Sequence, residues 1–286
     1  MTTPPKPKRN FVISGGASHG ATLWGALLPC LDRYTPAAWC GASIGAIIAA
    51  GMAVGLDRVL LESALVDLFQ KNRLTGGKDL IRFHPRILWS RGGGLHDWSH
   101  VRKAIQRLFG DRRMKDVQTP LTIVVGDVYT STPVYISSDT HPEVLIWEAL
   151  VASTAIAPLA DAQTIPSLGT GNRLYVDGGW GNNVPVRVFA DSSAPTVVIY
   201  LTKPPQGEVT KREGVVGVLT GCLELSLFAS PDLPGREDDR HIAVVPKGSG
   251  LDFDLTPQEI RRRVLDGAAQ SFRQLAQLPP VPKVIP

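Results

Sequence analysis

Apolar and polar positions follow a repeating order along the first part of the chain. Asn10-Phe-Val-Ile-Ser14 is an apolar run closed by polar residues, the pattern of a short buried strand. It passes directly into the glycine loop Gly15-Gly16-Ala17-Ser18-His19-Gly20 and then into a helical apolar pattern that lasts through Leu31. The same unit follows at once: a strand at Ala37 to Cys40, the turn Gly41-Ala42-Ser43-Ile44-Gly45, and a helix rich in alanine and isoleucine to Val54, with Gly55 as its stop. Farther on, the pattern predicts helices over 57–72, 99–109, 147–152 and 257–275. Strands are predicted over 121–125, 134–137, 174–176 and 196–201, and a glycine-rich, basic surface loop over 73–98. Strands alternating with helices indicate an α/β three-layer sandwich with a mostly parallel central sheet. The expected organisation is a flexible leader at 1–9, one domain at 10–278 and a tail at 279–286.

Residues Tyr34 to Leu56 carry no charge and are numerous enough to cross a bilayer. Pro36, Gly41, Gly45, Gly51 and Gly55 interrupt them, however, and a buried strand, tight turn and buried helix account for the segment better. The 286 residues are 43% hydrophobic and 20% charged, which excludes a disordered or fibrous chain. A net charge of +4 is too small to argue for nucleic acid, although Lys6, Lys8, Arg9 and Arg261 to Arg263 favour anionic surfaces. Three cysteines without a CxxC pair favour a reducing compartment over a disulfide framework or zinc site. The polar, proline-rich start lacks the apolar core of a cleavable signal, so the expected location is cytoplasmic, or outside by a route that uses no such signal.

Gly41-Ala42-Ser43-Ile44-Gly45 matches G-x-S-x-G, where a serine is exposed on a strained strand-to-helix turn. The same five residues also describe a serine capping an ordinary helix. The Gly15 loop offers consecutive backbone N–H groups, as an oxyanion hole requires. As a phosphate cradle it fails, because Ala21 stands where lysine must be. As a dinucleotide turn it needs Ala17 to be glycine. For a base, His241 lies in the charged run Arg236-Glu-Asp-Asp-Arg-His241, a solvated loop on this pattern. Asp177, at the strand end Leu174-Tyr175-Val176-Asp177-Gly178-Gly179, is the better candidate, with local backbone hydrogen bonding as its plainer role.

Taken together, Ile13 to Gly20, Gly41 to Gly45 and Val176 to Gly179 resemble the patatin-like phospholipase family in order and spacing. So do Ala149 to Pro158 and Gly181-Asn182-Asn183-Val184-Pro185. The resemblance implies a lipid acyl hydrolase of phospholipase A type, with Ser43 as nucleophile, Asp177 as its base without a histidine, and Gly15, Gly16 and Ala17 as oxyanion donors. It implies no metal or cofactor, a lipid ester as substrate, peripheral membrane contact, and in some bacterial members a protein activator. Two departures stand out: Ala17 replaces the family's usual glycine, and His19 its usual arginine or lysine. The second exchanges a permanent charge for one that titrates near neutrality, and makes His19 an auxiliary candidate whose protonation would raise activity below pH 7. Arg73 to Asp97, with Lys78, Arg82, Arg86, Arg91 and Gly92 to Gly94, is expected to form a basic lid. Trp89, Trp98, Trp147 and Trp180 are candidates for acyl contact or packing. The competing functions are a non-catalytic lipid-binding or signalling module and a nucleotide-binding protein using the Gly15 loop.

Overall fold

Side-chain alternation along the central strands sorts two apolar sets to opposite faces of one sheet. The computed structural model describes residues 5–69, 98–203, 214–228, 230–232, 236–248 and 255–277. Its sheet contains β1 (Lys8–Ile13), β2 (Thr35–Ala42), β3 (Leu121–Asp127), β4 (Thr132–Ser137), β6 (Thr196–Leu201) and β7 (Arg240–Val244) in the order β4-β3-β2-β1-β6-β7. A three-residue strand, β5 (Tyr175–Asp177), also pairs with β3. The strands β1, β2, β3, β6 and β7 are mutually parallel, and β4 and β5 run against β3.

On one face Phe11, Ile13, Trp39, Ile123, Val125, Val197, Ile199, Ile242 and Val244 form the main core with the helices α1 (Gly20–Arg33), α2 (Ile44–Ala53), α5 (Ile146–Ser153) and α8 (Pro257–Ala276). The helices α3 (Arg58–Phe69) and α4 (Ser99–Phe109) extend this layer through Leu61, Leu65, Val101, Ile105 and Phe109. On the other face Val12, Cys40, Ala42, Val124 and Val198 pack with Val184 and Val186, from the stretch that follows the short helix α6 (Gly178–Asn182), and with the half-buried Tyr135, Val188, Phe189 and Tyr200. The third layer is therefore thin. The helix α7 (Gly214–Leu227) packs beside α6.

Two glycines set the contact between α1 and α8. A β-carbon on Gly25 would lie 1.9 Å from the Val264 carbonyl oxygen, and one on Gly267 would lie 2.0 Å from that of Thr22. Only glycine lets the two backbones approach so closely. Along the same seam Cys30 Sγ and Ser271 Oγ are 3.6 Å apart, and Arg33 donates to the Leu275 carbonyl. A Thr256/Glu259 capping box starts α8.

The structure bears out the sequence reading in some places and departs from it in others. The segment Tyr34 to Leu56 divides into β2, the Ser43 turn and α2, and among the described residues no helix is long and apolar enough to cross a membrane. The last part of the leader is held in place: Lys6 donates to the Leu31 carbonyl, and Lys8 and Arg9 already belong to β1. His241 lies within β7, edge-on to the Tyr200 ring, not in a solvated loop. Charges up to Arg240 masked a strand whose paired stretch is only five residues long. Trp98 and Trp147 pack against the core with their indole nitrogens buried, whereas Trp180 is 42% exposed. The proposed lid at 73–97, Trp89 and the tail at 279–286 lie outside the described residues.

Candidate active site

The register of three strands explains how two residues 134 positions apart come together. Ala42, the last residue of β2, lies opposite Val124, and Asp177, the last of β5, lies opposite Val125. Because β2 is parallel to β3 and β5 antiparallel to it, the two chains run toward each other along one edge of β3 and their ends meet. Ser43 follows Ala42 directly. Its hydroxyl donates to Asp177 Oδ2 at 2.6 Å, and both residues are buried.

Ser43 has φ 53° and ψ −129°, a left-handed conformation costly for a residue with a β-carbon. The two glycines around it make that turn sterically feasible. A β-carbon on Gly41 would lie 2.5 Å from the Gly45 carbonyl, and one on Gly45 would lie 2.3 Å from the carbonyl oxygens of Ile13 and Ser14. Ser43 makes no side-chain cap to α2, so the hydroxyl is committed to Asp177. The N-terminus of α2 sits beside it and contributes a partial positive charge.

The two oxygens of Asp177 have different partners. Oδ1 accepts from Gly179 N–H at 2.7 Å and caps α6, while Oδ2 faces Ser43. Its own N–H donates to the Ala155 carbonyl at 2.9 Å. Burial pushes the carboxyl up from its ordinary 3.8 to about 7, against the opposing hydrogen bonds from Ser43 and Gly179. A carboxylate with that affinity for protons is far better suited to take one from a hydroxyl than an exposed aspartate is.

Two residues important to this geometry carried no role in the sequence reading. Ser153, at the end of α5, accepts from Ser43 N–H at 2.9 Å and donates to the Val124 carbonyl at 2.7 Å, tying the elbow to β3. Asn183 accepts from Gly15 N–H at 2.9 Å through Oδ1 and donates to the Leu227 carbonyl at 3.1 Å through Nδ2. Their segments were visible as the alanine-rich stretch at 149–158 and the N-x-P at 183–185. The contacts themselves depend on tertiary approach.

Asn183 revises the picture of the glycine loop. Gly15 N–H is engaged, so Gly15 anchors the loop and is not an open oxyanion donor. A β-carbon there would strike Asn183 Oδ1 at 2.4 Å and lie 3.1 Å from Ser43 Cβ, which shows how near the loop comes to Ser43. Among the described residues none accepts from the N–H groups of Gly16 or Ala17. Ala17 begins the 3-10 turn Ala17–His19 with φ 46°, a value natural to the glycine it replaces and strained for alanine. Ala17→Gly is therefore expected to stabilise the fold by about 1 kcal/mol while retaining the loop. An unchanged or lowered urea midpoint would show that the strain is not stored there.

His19 does not behave as the sequence led one to expect. It is fully buried, and burial with the Arg263 guanidinium beside it holds its pKa at about 3, so it is neutral throughout the physiological range. A titrating auxiliary charge at position 19 is thereby removed from the picture. His241 offers no alternative base: β7 is three strands from β2, about 14 Å at ordinary strand spacing. Among the described residues no cluster of histidine, cysteine, aspartate or glutamate could hold a metal ion.

With this geometry established, comparison with known proteins is direct. Residues 11–190 match the family model of patatin-like phospholipase. The chain belongs to the patatin-like phospholipase family. A triacylglycerol lipase of Schizosaccharomyces pombe is 25% identical over 198 residues, covering 61% of this chain and 40% of the yeast protein. The chain thus spans about two fifths of the length of that curated relative. Among solved structures, VipD of Legionella pneumophila aligns with a TM-score of 0.58 at 14% identity, over 96% of this chain and 67% of VipD. That likeness shows the fold. The ExoU–SpcU complex of Pseudomonas aeruginosa aligns with a TM-score of 0.44 at 16% identity, over 96% of this chain and 52% of that one.

Proposed function

We propose that this patatin-like protein hydrolyses fatty-acyl esters of glycerolipids through a Ser43/Asp177 dyad. The observation that carries the reading is the 2.6 Å hydrogen bond from the strained Ser43 hydroxyl to a buried carboxylate whose proton affinity is raised to about 7. The family match and the lipase relative support a lipid ester as substrate.

In the first step Ser43 Oγ attacks the ester carbonyl carbon and its proton passes to Asp177. The carbonyl oxygen becomes an oxyanion held by the N–H groups of Gly16 and Ala17, with the α2 terminus favouring the negative charge. Collapse breaks the bond to the alcohol, which leaves with the proton from Asp177, and the acyl group stays on Ser43. Water then attacks the acyl-enzyme and gives its proton to Asp177. The fatty acid departs as Ser43 recovers that proton.

The test is release of labelled fatty acid from phospholipid vesicles and triacylglycerol emulsions by wild type and Ser43→Ala, with calcium chelated throughout. Hydrolysis by wild type alone is the expected result. In the same assay kcat/KM should rise with pH along a limb centred near 7, because only ionised Asp177 accepts the serine proton. A flat profile from pH 5 to 8 would remove Asp177 from the role of base. Lipid binding without turnover, unchanged by Ser43→Ala, would favour a binding module.

A further inference from the structure

The family match ends at residue 190, yet a side chain from α8 reaches the oxyanion loop. Arg263 Nη1 donates to the Ser18 carbonyl at 3.1 Å and to Ser18 Oγ at 3.0 Å, and lies 3.3 Å from His19 Nδ1. Ser18 and His19 are both fully buried. We propose that Arg263 is a positioning residue of the acyl-transfer site, holding the Ala17–His19 turn so that the Gly16 and Ala17 N–H groups stay directed at the oxyanion. The proposal rests on the hydrolase reading above.

Three features of the structure support it. The turn needs an external hold: Ala17 sits at φ 46°, and a strained conformation persists only when its surroundings over-determine it. Asn183 holds the loop at Gly15, before the donor pair, and Arg263 holds it at Ser18, just after. The Gly16 and Ala17 amides are thus suspended between two fixed points. Secondly, the base on which Arg263 stands is rigid. The neighbouring Val264 backbone lies against Gly25, Gly267 lies against the Thr22 backbone, and Ile260, Val264, Ser271 and Leu275 are buried along α8. Thirdly, the guanidinium meets a neutral imidazole. Since Arg263 can only donate, Nδ1 of His19 faces it as an acceptor, and the ring proton belongs on Nε2. The fixed positive charge beneath the loop therefore comes from α8, at the point where position 19 contributes none.

The experiment uses the full chain and a soluble p-nitrophenyl ester, with active sites counted by a fluorophosphonate and Tm measured in parallel. Wild type, Arg263→Gln, Arg263→Lys and the exposed control Arg262→Gln are compared. For Arg263→Gln, kcat per titrated site should fall by about 10- to 100-fold with KM within about threefold, because the loss falls on the oxyanion rather than on ground-state binding. Arg263→Lys keeps the charge but loses the planar fork, and should lie between the two. Guanidinium ion at millimolar concentration should restore part of the glutamine variant's kcat, and Arg262→Gln should match wild type. A wild-type kcat per titrated site in Arg263→Gln, with lowered Tm, would reduce Arg263 to packing. A loss confined to KM would also overturn the proposal. Should Arg263→Gln fold poorly, a wild-type kcat in Arg263→Lys without change in Tm would show that the fork is not needed. If wild type is neither labelled nor active, the hydrolase reading itself fails, and this inference falls with it.

Discussion

Asp177→Asn is expected to lower kcat by about three to four orders of magnitude, close to the loss in Ser43→Ala, because members of a catalytic dyad act as a unit. Asparagine preserves the shape of the side chain and can still accept from Gly179 N–H. What it lacks is the capacity to take the serine proton. The same variant should be more stable than wild type at pH 8. The carboxyl titrates near 3.8 in the unfolded chain and at about 7 in the fold, so the protonated form is favoured on folding. That contribution is fully present below pH 3.8 and is lost as pH rises through 7. Removing the charge relieves the cost of burying it. The Tm gain of Asp177→Asn over wild type should therefore be several degrees at pH 8 and vanish near pH 4. An equal gain at both pH values would mean that charge burial is not its source.

Gly45→Ala should be among the most damaging single changes in the core. Its new methyl group would lie 2.3 Å from two carbonyl oxygens at the end of β1, neither of which can rotate away. α2 must move off the sheet instead, at a cost of about 3–5 kcal/mol. Since Ser43 directly precedes that helix, its side chain moves with it. A drop in Tm of about ten degrees, together with slower fluorophosphonate labelling, is the expected outcome. A urea midpoint equal to that of wild type would show that α2 and β1 are not in such close contact.

Much of this site was legible before any fold was known. The glycines around Ser43 and the Asp177-Gly-Gly stretch are demanded by backbone approach so close that no other residue fits, so they leave a mark in sequence even where the approaching chain is distant. The doubled strand-turn-helix was equally clear, because a short apolar run that ends in a glycine loop is rarely anything but a buried strand entering a turn. What escaped were contacts made across long stretches of chain. Ser153, Asn183 and Arg263 are ordinary polar residues in their own surroundings, and only the packing of α5, the segment after α6, and α8 brings them to the loop and elbow. His19 was misjudged for a related reason: its ionisation depends on burial and on a guanidinium 244 residues away. The helix α7 had no polar face to give it a helical period, and so was not anticipated at all.

The close seam between α1 and α8 also orders events in time. α1 leaves the ribosome before α8, and the helix that fills its groove emerges more than 200 residues later. Until then Gly25 lacks the α8 backbone it packs against, and the Ser18 carbonyl has no guanidinium beneath it. A nascent chain can therefore form its serine elbow before the loop beside it is held in place. Under the hydrolase function proposed above, turnover would wait for α8.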